Sequence, residues 1–314
     1  MMQPYNSVLD DPRFQEPFKP YIIQVVAPAS GTHQDKMAQL YSLKQLPLLF
    51  NLATFNGDIS YHSNSDDMRF DKLKEALFDS SDNTIIWALR GGYGCARLID
   101  KLNHLPKPTR KKLFIGFSDI TALHLFFSQK WQWPCIHGAG LAQLLDSDLD
   151  PKNFLKIADI LSQKSSEAII DDLSPLNQAA LNATAIKGTL TGGNLTLVGN
   201  SIGTSWEIQT KDKILFLEEI NVKGYAIDRS LFHLHQAGII KGVSAIVLGE
   251  FLNKENEQDI HIALGRFANE LPIPVFKTNQ FGHGEKNYPL IYNALSEIKI
   301  NPDSNQYALF MKYF

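Results

Sequence analysis

Cysteine is almost absent from this chain of 314 residues, which contains only Cys95 and Cys135. Two cysteines so far apart exclude a disulfide framework, and they also exclude a zinc site built from paired cysteine motifs. We expect both residues to be buried, reduced thiols.

Long runs of positive charge and long apolar segments are also absent. The formal net charge is −3, which argues against nucleic acid or an anionic membrane as the main partner. The first twenty residues contain charges and prolines but lack the apolar core of a secretory signal, and no segment approaches the roughly 18 apolar residues of a membrane span. We therefore expect a cytoplasmic protein that acts on small molecules or peptides.

What the sequence does contain is enough apolar residues for two domains. Hydrophobic residues make up 44% of the chain, and a domain usually has about 150 residues. In the first half, strand-like stretches at 21–27, 84–89 and 113–117 alternate with helical patterns. This alternation predicts an α/β fold with a parallel sheet that is covered by helices on both faces.

The second half predicts a smaller, mixed α/β domain with more antiparallel character. Its strand-like stretches include 213–220 and 243–249, and helical patterns cover 227–237 and 260–270. Before it, the pattern loosens into Ser, Asp, Asn and Pro, which is typical of a crossing between domains. The predicted boundaries are residues 1–165 for the first domain, 166–185 for a linker and 186–314 for the second domain.

Ser118 lies at the predicted junction between a buried strand and a helix. The apolar run Leu113–Phe117 has the length of a buried parallel strand, and apolar residues recur with helical spacing from Asp119 onward. Backbone N–H groups at a helix N-terminus lack partners within the helix, so an oxyanion formed beside Ser118 would meet hydrogen-bond donors. The segment therefore suggests a nucleophile. The alternative is that Ser118 or Asp119 only caps the helix.

A glycine-rich turn, Arg90-Gly91-Gly92-Tyr93-Gly94, follows the predicted strand 84–89. It lies at the carboxyl edge of the sheet, where open α/β folds build their sites. As a dinucleotide fingerprint it is poor, because Arg97 occupies the position of the third glycine. The turn could donate an N–H group to an oxyanion beside Ser118, or it could be a strand-to-helix connection without a ligand.

The one literal G-x-S-x-G motif, Gly199–Gly203, has the wrong context for a nucleophile. A nucleophile elbow needs a buried strand before the serine and a helix after it. Ser201 is instead followed by Gly203, Thr204 and a charged stretch without helical periodicity. We interpret Ser201 as the end of a helix followed by a turn.

Two adjacent acids, Glu218 and Glu219, end the predicted strand 213–220. A carboxylate in such a place costs free energy unless it is paired or hydrogen-bonded, so one of them should have a dedicated partner. That partner could be Arg229 in a salt bridge, or a histidine that the acid orients. His283, which stands between two glycines in a predicted loop, is the accessible candidate.

Four other histidines are expected to serve packing or solvent contact: His124, His137, His233 and His235. The last two are spaced two apart, which on a helix points them to different faces, so a metal pair is not expected. A nucleophilic role for Cys95 beside the glycine turn is the weaker interpretation, since a buried thiol at the start of a helix is ordinary.

Taken together, several segments resemble the LD-carboxypeptidase family of serine peptidases, which includes muramoyltetrapeptide carboxypeptidases and microcin C immunity peptidases. The segments span nearly the whole chain in the family order. The matching stretches are Ala27-Pro28, Arg90–Gly94 with Arg97-Leu98, Gly116–Leu123, His137-Gly138, Gly188–Leu195, Leu217-Glu218-Glu219, Asp228-Arg229 and Gly282-His283-Gly284.

The resemblance implies a catalytic triad in which Ser118 is the nucleophile, His283 the general base and Glu218 the acid that orients it. It implies a Rossmann-like N-terminal domain that carries the serine and a smaller domain that supplies the acid and the histidine, with the site in the cleft between them. The segment 46–61 departs from the family pattern, because it is less helical and more apolar than expected.

The resemblance also implies an oxyanion hole made by the N–H groups of Asp119 and of the Gly91-Gly92 turn. The chemistry needs no metal and no cofactor. The implied substrate is a murein tetrapeptide, cleaved between the L-centre of a diamino acid and the terminal D-alanine, as in cytoplasmic cell-wall recycling. We also expect a homodimer.

Two other functions compete with this interpretation. Within the family, an immunity peptidase would cleave an aminoacyl-nucleotide toxin such as microcin C, but such members carry a longer insertion, and the interval between Ser118 and Glu218 is compact here. Outside it, a non-catalytic α/β protein could use the glycine turn to bind phosphate. A serine-directed probe such as a fluorophosphonate would label an enzyme and not a binding protein.

Overall fold

The computed structural model describes residues 7–52 and 61–313. The chain divides into two compact units, Met1–Lys164 and Ser165–Phe314.

The first unit is built on a parallel sheet. Its strands follow one another in the order β5-β4-β3-β1-β2, and every one of these neighbouring pairs is parallel. Strand β3 is buried at all five residues, as expected for a strand that is covered on both faces. The predicted parallel α/β sheet is therefore confirmed. The bounds are β1 Ile22–Val26, β2 Leu48–Phe50, β3 Thr84–Ala88, β4 Leu113–Gly116 and β5 Cys135–His137.

Helices connect these strands, and aromatic side chains fill the core around them. Phe18 stacks on Trp87 at a centroid distance of 5.5 Å, and the Trp87 indole donates a hydrogen bond to the carbonyl of Ala139 over 2.8 Å. The helical pattern that begins at Asp119 is not one continuous α-helix but a 3-10 turn, the short helix α5 and a π-helical turn over 127–131. The helices of this unit are α1 Pro12–Gln15, α2 Gln34–Ser42, α3 Asp66–Leu77, α4 Ile99–Asn103, α5 Thr121–Phe126 and α6 Lys152–Ser162.

The second unit contains a closed barrel of seven strands in the order β10-β6-β13-β12-β7-β8-β9. The contacts from β7 through β10 are parallel and the others are antiparallel, which confirms the predicted mixed character. The barrel strands are β6 Glu167–Pro175, β7 Ala185–Asn194, β8 Lys213–Ile220, β9 Ala245–Leu252, β10 Val275–Lys277, β12 Leu295–Asn301 and β13 Gln306–Lys312, and the short strand β11 Leu290–Ile291 of this unit is not part of the barrel. The helices are α7 Gln178–Leu181, α8 Leu195–Ser201, α9 Gly224–Gln236 and α10 Glu257–Glu270.

Residues 166–185, which we expected to form a linker, instead contribute strand β6 and helix α7 to this barrel. Strand β6 contains a bulge, which is seen as a shift in its pairing with β13 between Tyr307 and Leu309. Within β6, Asp172 has a φ of 58°. A bulge interrupts the strict alternation of buried and exposed side chains. The sequence of β6 therefore lacks the period of two that would have identified it as a strand.

The atypical segment 46–61 begins with a real strand. Strand β2 pairs in parallel with β1, with Leu48 opposite Ile23, and this explains the apolar run there. Residues 53–60 of that segment lie outside the described residues. Among residues 7–52 and 61–313, no helix is both long enough and apolar enough to cross a bilayer.

Candidate active site

Ser118 occupies a sharp turn at the carboxyl end of β4. Phe117 is extended, with φ −157° and ψ −174°, and Ser118 then takes a φ of 64° before a 3-10 turn leads into α5. A positive φ is uncommon for a residue with a Cβ atom and is typical of strained functional positions. This is the strand, turn and helix order of a nucleophile elbow.

The glycine turn lies against this serine. A Cβ atom added at Gly91 would stand 2.6 Å from Ser118 Cβ and 2.9 Å from Ser118 Oγ. The Gly91 carbonyl accepts a hydrogen bond from the N–H of Ser30, and Ser30 Oγ accepts one from the N–H of Tyr93. Only a residue without a side chain can approach Ser118 this closely, and this explains why position 91 is a glycine.

The Asp119 side chain ties the two segments together. Its buried carboxylate accepts a hydrogen bond of 2.8 Å from the N–H of Cys95. Within the described part of the chain, neither Ser118 nor Asp119 makes a side-chain capping bond at the 3-10 turn or at α5, so the capping alternative does not hold. Burial raises the pKa of Asp119, and the hydrogen bond from Cys95 opposes that rise.

The Cys95 thiol is fully buried. Burial and the adjacent Asp119 charge raise the pKa of this thiol well above its ordinary value, which keeps it protonated. Burial also raises the pKa of Cys135, which is free and buried as expected. Neither thiol has the lowered pKa that a cysteine nucleophile needs.

In the second unit, the structure brings Glu218 and His283 together. Glu218 Oε2 lies 2.6 Å from His283 Nδ1. The Glu218 side chain is fully buried, whereas 12% of the His283 side chain is exposed. This short contact on Nδ1 fixes the orientation of the imidazole ring, as an acid does when it orients a base.

The carboxylates around His283 decide its protonation. Burial disfavours the imidazolium, but the charge of Glu218 and its hydrogen bond outweigh burial, with smaller contributions from Glu219 and Glu250. The pKa of His283 is therefore raised. A base with a raised pKa holds a transferred proton more readily.

Glu219 has a different set of partners, although it is also buried. Its carboxylate accepts hydrogen bonds from Asn194 Nδ2 and from the N–H and the hydroxyl of Thr196, and also from the N–H of Ile220. These contacts hold the start of α8 against the end of β8. The alternative partner, Arg229, lies over the ring of Tyr225 at 5.8 Å.

Glu250 is a site residue that the sequence analysis missed. It lies in β9, beside the loop that carries His283, and its N–H donates to the carbonyl of Phe281 over 2.9 Å. An acid near the end of a buried strand, as in Gly249-Glu250, was the available signal. It resembled an ordinary solvated strand end, because nothing local links it to position 283.

The other candidate residues from the sequence analysis have ordinary structural roles. Ser201 is the last residue of α8, and its hydroxyl donates to the carbonyl of Val198 over 2.7 Å, which confirms the helix end. His124 and His137 are buried, and His233 and His235 belong to α9. In residues 7–52 and 61–313, no three His, Cys, Asp or Glu side chains form a group that could hold a metal ion.

Comparison with known proteins identifies both halves of the chain. The family model described as LD-carboxypeptidase N-terminal domain matches residues 23–138, and the model described as LD-carboxypeptidase C-terminal domain matches residues 187–298. A protein of Rickettsia conorii named "putative carboxypeptidase" is 50% identical over 277 residues, which cover 88% of this chain and 87% of that protein. The murein tetrapeptide carboxypeptidase of Pseudomonas aeruginosa is 29% identical over 289 residues, which cover 89% of this chain and 93% of the relative.

Solved structures share the fold. The muramoyltetrapeptide carboxypeptidase of Oxalobacter formigenes superposes with a TM-score of 0.75 at 24% identity, over 93% of this chain and 99% of the other. The microcin C7 self immunity protein in complex with aspartyl sulfamoyl adenosine also gives a TM-score of 0.75, at 18% identity, over 94% of this chain and 96% of the other. At these identities the likeness shows the fold alone.

Proposed function

This chain belongs to the LD-carboxypeptidase family, and from that premise we propose that it is a serine carboxypeptidase that removes the terminal D-alanine from murein tetrapeptides. The bond cleaved is the one between the L-centre of the diamino acid and D-alanine. The proposed catalytic residues are Ser118, His283 and Glu218.

In the proposed mechanism, His283 accepts the proton of the Ser118 hydroxyl as its oxygen attacks the peptide carbonyl. The oxyanion that forms receives hydrogen bonds from the N–H groups of Asp119 and of the Gly91-Gly92 turn. Collapse of this intermediate breaks the C–N bond, and His283 donates its proton to the departing amine of D-alanine. Water, deprotonated by His283, then hydrolyses the serine ester. The Glu218 carboxylate stabilises the imidazolium in both steps.

The observation that supports this proposal most strongly is the 2.6 Å contact between Glu218 Oε2 and His283 Nδ1. A fully buried carboxylate and an imidazole at this distance form a charge-assisted pair with a defined orientation. The strained turn at Ser118, with its φ of 64°, supplies the matching feature for a nucleophile. A purely structural histidine would need neither a buried acid nor flanking glycines.

The test is to follow D-alanine release from murein tetrapeptide by the purified protein. Ser118→Ala should lower turnover about a thousandfold or more, the scale seen when a triad member is removed. Ser201→Ala is the matched control, since it alters the serine of the literal G-x-S-x-G motif, and it should keep its turnover. A Ser118→Ala variant with a tenth of the activity would rule out this nucleophile.

Two parallel assays separate the alternatives. Aspartyl sulfamoyl adenosine, tested as a substrate beside the tetrapeptide, should be hydrolysed far more slowly; the reverse preference would indicate an immunity-type peptidase. A fluorophosphonate probe should label the unaltered protein and not Ser118→Ala, and failure to label either would favour a non-catalytic binding protein. The homodimer remains a prediction for light scattering to measure.

A further inference from the structure

The loop that carries His283 wraps around the side chain of Glu250. A Cβ atom added at Gly282, where φ is 139°, would stand 2.8 Å from Glu250 Cβ. A Cβ atom added at Gly284 would stand 2.0 Å from Glu250 Oε2. Both glycines that flank His283 therefore leave the space that Glu250 occupies.

Glu250 also contacts the backbone of this loop on both sides of His283. Before the histidine, the Glu250 N–H donates to the carbonyl of Phe281 over 2.9 Å. After the histidine, the Glu250 carboxylate lies directly against the backbone of Gly284, whose N–H group lowers the pKa of that carboxyl. A hydrogen bond within the loop, from the N–H of Gly282 to Asn287 Oδ1 over 3.3 Å, closes it.

Two glycines give a loop wide conformational freedom, and that freedom must be removed before the imidazole can hold one orientation. The bond from Glu218 fixes a single ring nitrogen. The contacts of Glu250 restrain the backbone on either side of the ring, so the two acids restrain different parts of the same residue.

We propose that Glu250 is a positioning residue for His283, which fixes the loop through Gly284 and places a further negative charge near the imidazole. The proposal rests on the proposed role of His283 as the catalytic base. Glu250 needs no contact with the substrate to act in this way.

The charges around both groups are consistent with this role. The charges of Glu218 and Glu219 in β8 and of Glu250 in β9 all favour the protonated form of His283. Burial and the charge of Glu218 raise the pKa of Glu250, while the Gly284 N–H, His283 and Lys277 of β10 oppose that rise. Glu218 bonds directly to the ring, so the charge of Glu250 is the smaller effect and should be measurable separately from it.

Two substitutions separate the charge of Glu250 from its contact with Gly284. Glu250→Gln keeps an oxygen that can accept from Gly284 but removes the charge, and Glu250→Ala removes both. Glu250→Gln should shift the acidic limb of the kcat/KM profile to lower pH by about half a pH unit, with kcat on the plateau within about threefold. Glu250→Ala should lower kcat about tenfold or more and leave KM within about twofold, since it misplaces the base and not the substrate.

The matched control is Glu297→Gln, which neutralises an acid of β12 that pairs with Lys299. Its profile should overlay that of the unaltered protein. A Glu250→Gln profile that also overlays it, or a Glu250→Ala variant that raises KM and keeps kcat, would overturn the proposal. Thermal unfolding of each variant checks that the fold is retained.

A second readout does not depend on activity. The pKa of His283 can be measured by NMR titration of its imidazole in Ser118→Ala and in the double variant Ser118→Ala, Glu250→Gln. It should be lower in the double variant, and an equal pKa in the two would refute the proposal. Loss of the proposed function would appear instead as absence of D-alanine release from the unaltered protein.

Discussion

Backbone strain at Ser118 predicts that glycine at this position gives a more stable protein than alanine does. With a φ of 64°, residue 118 lies in the left-handed region, where a Cβ atom costs roughly 1–2 kcal/mol. Glycine avoids that cost but loses more backbone entropy on folding, roughly 0.5–1 kcal/mol relative to alanine. The difference leaves Ser118→Gly more stable than Ser118→Ala by about 1 kcal/mol, a factor of about five in the unfolding equilibrium.

The assay is denaturant unfolding of the two variants, fitted with a common slope. Both variants lack the Ser118 hydroxyl, so both should lose hydrolysis to the same degree, and stability should be the only property that separates them. An activity difference between them would mean that a group other than the hydroxyl carries the reaction.

Two control positions in the same unit test the physical reason. Gln132 also lies in the left-handed region, with a φ of 55°, so glycine should again be more stable than alanine there. Glu75 lies inside α3 on the surface, where the order should reverse and glycine should cost about 1 kcal/mol. The strain argument fails if Ser118→Ala is as stable as Ser118→Gly while both controls behave as expected.

Three further predictions concern the chemistry. Glu218→Gln should lower kcat by about a hundredfold or more, because an amide cannot stabilise the imidazolium. Glu219→Gln should keep most of its kcat but lower the denaturation midpoint, because a carboxamide cannot accept all the hydrogen bonds that this carboxylate accepts. If the kinetics of the two variants were reversed, the acid of the triad would be Glu219. The kcat/KM value should fall as pH drops through the raised pKa of His283, since the base must be neutral, and a profile flat from pH 5 to 8 would contradict this. Gly91→Ala should lower kcat about tenfold or more, since its Cβ atom would stand 2.6 Å from Ser118 Cβ; unchanged kinetics would show that the turn can move aside.

Features that depend on neighbouring residues could be predicted before the structure was known. The strand 213–220 was predicted with the bounds that β8 has, because its apolar run and its flanking residues are local signals. The place of Ser118 between a strand and a helix was predictable for the same reason, since the change of period occurs within a few residues. The family resemblance joined these local segments into one expected fold.

Features that depend on residues distant in the chain could not be predicted in this way. Glu218 and His283 are in contact although they are 65 positions apart in the chain. The adjacent Glu219 has other partners, because its carboxylate accepts hydrogen bonds from Asn194 and Thr196. The bulge in β6 and the loop around Glu250 likewise arise from pairing with distant strands and turns. Periodicity reports which side of an element is buried, but the identity of the partner on that side is set by how the elements assemble.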